Sequence, residues 1–380
     1  MKTFSILTVC FLLCSCAGNK PSQEFFTADV QSINHDQECH LDEVFSNIEY
    51  VPLEHTEESQ VGDIRRILKA KDNSLIVWDT QTNSAFRFDA KGKFLNKIGA
   101  TGHAKNEYNL IGNIAYNPYT DQVWVIDMVT AIVIYQPDGT FVRRIDREEG
   151  MTNIGFVDAN HYCLYGAFLS NEHFYAIYNI EDNKEVFKFC PRKGTDVLME
   201  TGGAPNFRYY NGQLIAHTKY SDMAYVVDTT SIQPICQVNY LGSEKFMKGF
   251  NPEEILEQGK KEGYMLSCYD VALTDKYLFS EITIPEKPMY KFLLSVNVLK
   301  SGQQYYLPTS NGDEAHKFCP CATRMQYVDN QQFIAPCEEE AFTAACSHLA
   351  EKQDTLCAEY AQYKQLAQHQ NPVLMVAKLK

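Results

Sequence analysis

From Ile48 onward, apolar and polar residues alternate with a period of two, in segments too short for helices. Arg65–Ala70, Ser74–Asp79, Ser84–Asp89 and Phe94–Gly99 are four such segments, set apart by turn-forming residues, and each predicts a strand. The block Ile64–Gly99 is followed by a second of the same design, Ile111–Asp146. Phe88, Gly92 and Phe94 recur as Tyr135, Gly139 and Phe141, each 47 residues on, and Asp79 recurs as Asp127 with a slip of one. Gly92 and Gly139 close Asp-x-x-Gly and Gln-x-x-Gly, where a tight hairpin needs a residue at positive φ. Four antiparallel strands repeating every 40–50 residues describe the blade of a β-propeller.

Weaker copies follow. Ile154–Phe189 contains YCLYGAF, FYAIYNI and VFKF; Phe207–Tyr240 contains QLIAHT, MAYVVD and ICQVNY; Val271–Leu307 contains YLFSEI, FLLSVNV and QQYYL. The last copy, Arg324–Val328, Gln332–Ala335 and Pro372–Leu379, is short of a strand, while NIEYVPL (Asn47–Leu53) stands alone at the start. An open ring would expose two sheet edges, so Ile48–Pro52 is expected to complete the C-terminal blade. The expected fold is therefore all-β: a six-bladed β-propeller over residues 45–380, closed by pairing an N-terminal strand with the C-terminal blade. Two insertions break the β pattern. Pro252–Glu262 predicts a short helix with acids in its first turn. Residues 338–370 predict a helical insertion in the last blade, with Phe342, Cys346, Leu349, Leu356 and Tyr360 along one side.

The first residues follow a different rule. Lys2 and the apolar run Phe4–Leu13 match a secretory signal and are too short to span a bilayer. Leu13-Cys14-Ser15-Cys16 resembles the lipobox of bacterial lipoproteins: a Leu at −3, a small residue at −1, and the thiol that takes diacylglyceryl at +1. Residues 1–15 are thus expected to be removed, Cys16 to carry diacylglycerol and palmitate-type acyl chains, and 16–44 to form a lipidated N-terminus and flexible tether. The expected location is the cell envelope, anchored to a membrane by that lipid. Ala17 rather than Asp after Cys16 favours the outer membrane, with the periplasmic and surface faces both open.

Composition narrows the partners. Removing residues 1–15 takes away Lys2 and moves the net charge from −14 to −15 (−14 − 1), which argues against nucleic acid. At 45% hydrophobic and 12% aromatic residues the chain can bury a large core, and a monomeric propeller is expected.

The stretches IEYVPLE (Ile48–Glu54), VGDIRRI (Val61–Ile67), FRFDAKGKFLNKIGATG (Phe86–Gly102), NEYNLIGNI (Asn106–Ile114), VIYQPDGTFVRRI (Val133–Ile145) and NPVLMVAKLK (Asn371–Lys380) resemble a family of six-bladed β-propeller lipoproteins of Gram-negative bacteria, related to NHL-repeat propellers. The likeness is strong over 48–146 and at the C-terminus and loose between. Where that family often reads Gly-x-Gly-Pro-Gly-Glu-Tyr, this chain has Gly102-His103-Ala104-Lys105-Asn106-Glu107-Tyr108, keeping the last two residues but not the glycines. The resemblance implies a fold and assigns no activity.

No His-Glu-x-x-His, Gly-x-Ser-x-Gly, P-loop or Rossmann glycine pattern occurs, so no catalytic residue is assigned and no cofactor is expected. The leading expectation is a non-catalytic binding or scaffolding module for a protein, peptide or glycan. The enzyme alternative is a metal-dependent propeller lyase or hydrolase holding Ca or Zn at the axis, with His103, His161, His217 and His316 from different blades as its candidate ligands. Trp78 and Trp124 lie in apolar strands and read as core rather than sugar platforms, and hairpin chemistry accounts for Asp79 and Asp127. Cys319, Cys321 and Cys337 are the disulfide candidates, with buried free thiols as the alternative reading. The sequence also sets one test: Cys16→Ser abolishes palmitate labelling and moves the protein from the membrane to the soluble fraction, read by metabolic labelling and fractionation.

Overall fold

The computed structural model describes residues 24–30, 41–128, 130–148, 150–166, 172–191, 207–218, 221–240, 261, 267–285, 290–308, 325–337 and 371–380. Within them the chain is a ring of six antiparallel sheets, a six-bladed β-propeller. Blade one is β3 (Ile64–Lys69), β4 (Leu75–Asp79), β5 (Ser84–Phe88) and β6 (Phe94–Lys97). Blade two is β7 (Ile111–Asn117), β8 (Gln122–Asp127), β9 (Ala131–Tyr135) and β10 (Phe141–Asp146). Blade three is β11 (Asn153–Phe156), β12 (His161–Tyr165), β13 (His173–Asn179) and β14 (Glu185–Pro191). Blade four is β15 (Phe207–Tyr210), β16 (Gln213–His217), β17 (Met223–Val227) and β18 (Ile232–Asn239). Blade five is β19 (Ser267–Leu273), β20 (Tyr277–Pro285), β21 (Tyr290–Val298) and β22 (Gln304–Pro308).

Blade six joins both ends of the chain. Its strands are β23 (Tyr327–Val328), β24 (Gln332–Pro336), β25 (Val373–Leu379) and, outermost, β2 (Phe45–Pro52). β2 pairs antiparallel with β25 from Phe45↔Leu379 to Pro52↔Val373, so the orphan N-terminal strand does close the ring. The helical segments expected at 252–262 and 338–370 fall outside the described residues, apart from Lys261.

Sheets stacked face to face explain the burial pattern. β4 and β9 lie between neighbours on both faces, so all five residues of each are buried, whereas the outer strand β6 alternates half-buried and exposed. Six hydrophobic clusters fill the six interfaces between blades. Trp124 of β8 meets Phe156 and Tyr162 of blade three at centroid distances of 5.0 and 5.1 Å. Both tryptophans are core, Trp78 at 8% exposure and Trp124 at 0%.

The repeated glycines serve the same stacking. Gly92 and Gly139 sit at φ +83° and +88° in the β5–β6 and β9–β10 hairpins. A Cβ on Gly92 would stand 2.1 Å from the Pro52 carbonyl oxygen, and one on Gly139 2.5 Å from that of Lys97, the outer strand of the preceding blade in each case. The turn and the packing both exclude a side chain there.

The expected tether needs a correction. Residues 16–44 include β1 (Phe26–Asp29) and the short α1 (Leu41–Val44). β1 adds a fifth strand to blade four, parallel to β18 from Phe26↔Cys236 to Asp29↔Asn239. Phe26, Ala28 and Val30 are buried where blades four and five meet, while Thr27 and Asp29 face out. Residues 26–29 are therefore held at blade four. The direction of β1 follows from the pairing. The first strand of each blade runs toward one face of the disk (the upper face, which carries the turn into the second strand), and the fourth runs away from it. Being parallel to a fourth strand, β1 enters from the upper face, and the Phe26 ring meets Tyr210 of the β15–β16 turn edge-on at 6.2 Å.

Gly92→Ala places a residue at positive φ, at a cost of roughly 1–2 kcal/mol, and drives its Cβ against the Pro52 carbonyl. A urea titration is expected to show a lower midpoint than wild type with the slope unchanged.

Candidate functional site

The first strands of the six blades converge on the axis, and each presents an edge with no strand beyond it. In blades one, two and five the first strand shifts register between Ile64 and Arg66, Ile111 and Asn113, and Cys268 and Asp270. A bulge of this kind re-aims the side chain that follows it. Asn153 stands in the corresponding register of blade three, opposite Tyr165 as Arg66 is opposite Trp78.

Arg66 and Arg208 organise this ring, each only 9% exposed. Arg66 Nη1 donates to Asn113 Oδ1 at 2.9 Å and to Asn153 Oδ1 at 3.2 Å, linking blade one to blades two and three. Asn113 Nδ2 donates to the Thr152 carbonyl at 2.8 Å. Arg208 Nη2 donates to Asp270 Oδ2 at 2.6 Å and to the Met325 carbonyl at 2.7 Å, and its Nη1 to the Gln326 carbonyl at 2.9 Å, linking blade four to blades five and six. The amides of Ile114, Ile154 and Val271 donate to Asn113, Asn153 and Asp270 at 2.8, 3.0 and 2.8 Å, and the Met325 amide donates to Glu281.

Above this network lies a cavity of 420 Å³ on the upper face, lined by residues of blades one, two, three, four and six. Arg66 and Arg208 belong to its lining, Lys69 and Lys71 come from the end of β3, and Tyr116, Tyr119, Phe207, Tyr209 and Tyr327 supply aromatic walls. Tyr119 Oη donates to the Val157 and Gly212 carbonyls at 3.1 and 3.3 Å, clasping the turns of blades two, three and four. Tyr209 Oη accepts from the Phe156 amide at 2.9 Å and donates to the Phe156 carbonyl at 3.2 Å. Burial pushes the phenols of Tyr116, Tyr209 and Tyr327 well above their ordinary value, so they act as neutral hydroxyls. Burial, with the charge of Arg208 second, brings the Arg66 guanidinium down to about 10. Burial also pushes the Asp270 carboxyl up, against the pull of Arg208 and the Val271 amide.

The four histidines weighed as metal ligands do not meet among the described residues. His103 is exposed in the loop after blade one, and His316 lies outside the described residues. His161 begins the second strand of its blade and pairs with Asp158 at 2.9 Å, whereas His217 ends the second strand of its own. Those positions lie at opposite faces of the disk. No group of three or more His, Cys, Asp or Glu among the described residues could hold a metal ion. Cys337 is buried and bonded to no described cysteine, and Cys319 and Cys321 lie outside the described residues. Burial raises the Cys163, Cys190, Cys236 and Cys268 thiols, the first and last well above their usual value, so they stay protonated.

Asp79 and Asp127 have structural work at the opposite face. Asp79 Oδ1 accepts from the amides of Gly62 and Asp63 at 3.1 and 2.6 Å, and Asp127 Oδ1 from those of Asn109 and Leu110 at 2.8 and 3.1 Å. Each ties down the loop that enters its own blade. The axial arginines and amides carried no motif by which the sequence could mark them; the available signal was a polar residue inside an apolar first strand.

His217 generates a pH prediction. It is fully enclosed, its Nε2 lies 3.0 Å from the Ser221 carbonyl, and burial lowers its pKa to about 4. An unfolded imidazole titrates near 6.5. Between these values the unfolded chain takes up a proton that the folded one refuses, so stability is full above about 6.5 and falls as pH drops toward 4. His217→Gln is expected to reduce the loss of stability between pH 7 and pH 5, measured by urea unfolding at both.

Solved structures share the whole architecture. A protein of Bacteroides fragilis NCTC 9343, whose name marks it as a candidate exported protein, superposes with a TM-score of 0.70 at 14% identity, covering 94% of this chain and 99% of its own. A member of the duf4221 family from Bacteroides vulgatus atcc 8482 gives 0.52 at 12% identity, covering 89% and 97%. At these identities the likeness shows the propeller fold alone. No curated protein sequence matches. A family model matches residues 25–378, from the strand at blade four to the last strand of blade six, and the chain belongs to that family, described as Domain of unknown function (DUF4934).

Proposed function

We propose that the protein is a lipid-anchored binding module of the cell envelope that takes its ligand in the axial cavity of the upper face. One observation carries this reading: a concave site of 420 Å³, walled by aromatic side chains and floored by two buried arginines, assembled from five separate blades. Its size lies within the usual span of small-molecule sites, about 300–1,000 Å³. Convergence of one turn per blade on the axis lets a propeller vary the site without disturbing the stacked sheets.

The anchor supports a geometry for this role. With lipid on Cys16, the nine steps to Phe25 span at most about 30 Å of extended chain. β1 enters from the upper face. This direction of entry supports a bilayer on the cavity side of the disk, with the ligand collected close to the membrane. The likeness to a candidate exported protein agrees with an extracytoplasmic location. The NHL-like, outer-membrane character read from the sequence belongs to the same proposal, with the periplasmic and surface faces both open.

Glycan and peptide arrays probed with the full mature chain in detergent test the reading. Binding is expected to be lost with Tyr119→Ala at the cavity rim and kept with Leu110→Ser, an exposed change on the opposite face. The reverse pattern, or no bound species on either array, overturns it.

A further inference from the structure

The charges around the axial cavity do not balance. Its lining carries four cationic side chains, Arg66, Lys69, Lys71 and Arg208, against one acid, Asp329. Arg208 is answered by Asp270 at 2.6 Å, and Lys69 by Asp329 at 3.5 Å. Arg66 is different. Among the described residues its hydrogen bonds go only to the neutral amide oxygens of Asn113 and Asn153, both from Nη1, and its Nε–Nη2 edge meets no hydrogen-bond partner. Arg208 Nε is likewise buried without a partner. A cation nine-tenths removed from water, hydrogen-bonded to neutral amides and sharing the Asp270 carboxylate with Arg208 only at longer range, is a costly arrangement.

We infer that the cavity binds an acidic sugar, whose carboxylate pairs with the free edge of Arg66 and whose ring lies between the tyrosine walls. This rests on the cavity being the ligand seat proposed above. The Nε–Nη2 edge of a guanidinium offers two parallel donors at the spacing of two carboxylate oxygens. One open guanidinium edge matches one carboxylate group. The burial that brings Arg66 down to about 10 is the same cost that a carboxylate would offset. A bare inorganic anion would leave most of the 420 Å³ unfilled, while Tyr116, Tyr119, Tyr209 and Tyr327 line it with aromatic surface of the kind that packs on the C–H face of a pyranose. Lys71, exposed at the mouth, adds attraction without being needed for the fold.

Isothermal titration calorimetry of the full mature chain separates the parts of this inference. The probes are D-galacturonate, D-glucuronate and N-acetylneuraminate, with galacturonate methyl ester, D-galactose and inorganic phosphate as controls. At least one sugar acid is expected to bind tenfold or more tighter than the neutral ester or galactose, the loss that one charge-assisted pair accounts for. Affinity for the acid should fall with added salt and several-fold in Lys71→Glu, whose melting temperature should stay that of wild type. Arg66→Met should lose the preference for acid over ester. If that variant does not fold, Lys71→Glu and the acid–ester comparison still decide the matter. Equal binding of acid and ester, or binding of phosphate but of none of the acids, overturns the inference. Galactose or ester binding that disappears in Tyr119→Ala would remove the anionic ligand while leaving the cavity as the seat. Failure of every probe to bind removes the acidic-sugar assignment, and the array experiment then decides the seat by itself.

Discussion

The axis is where this fold faces its hardest constraint. Six first strands arrive there with one edge each unpaired, and buried backbone groups must find partners. Two arginines and a set of short polar side chains supply them. Arg66 joins blades one, two and three through Asn113 and Asn153; Arg208 joins blades four, five and six through Asp270 and the carbonyls of Met325 and Gln326. Asn113, Asn153 and Asp270 each accept a bond from the next residue's amide on the bare edge. Between the sheets the blades are held differently, by apolar clusters that run from the first strands outward and set one blade against the next.

This division of labour connects architecture to site. Side chains recruited to satisfy the inner edges also form the floor of the cavity, and satisfying the edges does not use every donor they carry. Arg66 spends one nitrogen on two blades, and among the described residues its other edge carries no hydrogen bond. The turns above, from Lys71, Tyr119, Gly212 and Asp329, are free of the packing that constrains the strands, and they shape the mouth. The N-terminal strand β1 belongs to the same logic, because it fills the groove between blades four and five and fixes the face from which the chain enters.

Much of this was legible along the chain. The 47-residue recurrence and the hairpin glycines predicted four-stranded blades, and the bounds of β3 to β6 fall within a residue or two of the alternation. The missing strand of the last copy and the spare strand at Asn47–Leu53 predicted the closure that β2 and β25 make. β1 was hidden because Phe26, Ala28 and Val30 make too short a pattern to stand out in a mixed, polar stretch. The axial residues were hidden for a related reason. Arg66 and Asn113 stand 47 residues apart, in step with the repeat, yet one is a cation and the other an amide, so the shared position leaves no shared letter.

Local chemistry decided what the sequence by itself could determine: period-two alternation, turn glycines and a lipobox are each read from neighbours within a few residues. These settled the strands, their grouping into blades, the closure, and the expectation of a lipid on Cys16. The axial cavity was decided only by the tertiary structure. Its floor and walls come from five blades separated by up to some 260 residues, between Lys69 and Asp329. Arg66 becomes a buried cation hydrogen-bonded to the amides of two other blades only once the ring has closed around it, because its burial and its partners belong to the assembled fold and not to any segment of the chain.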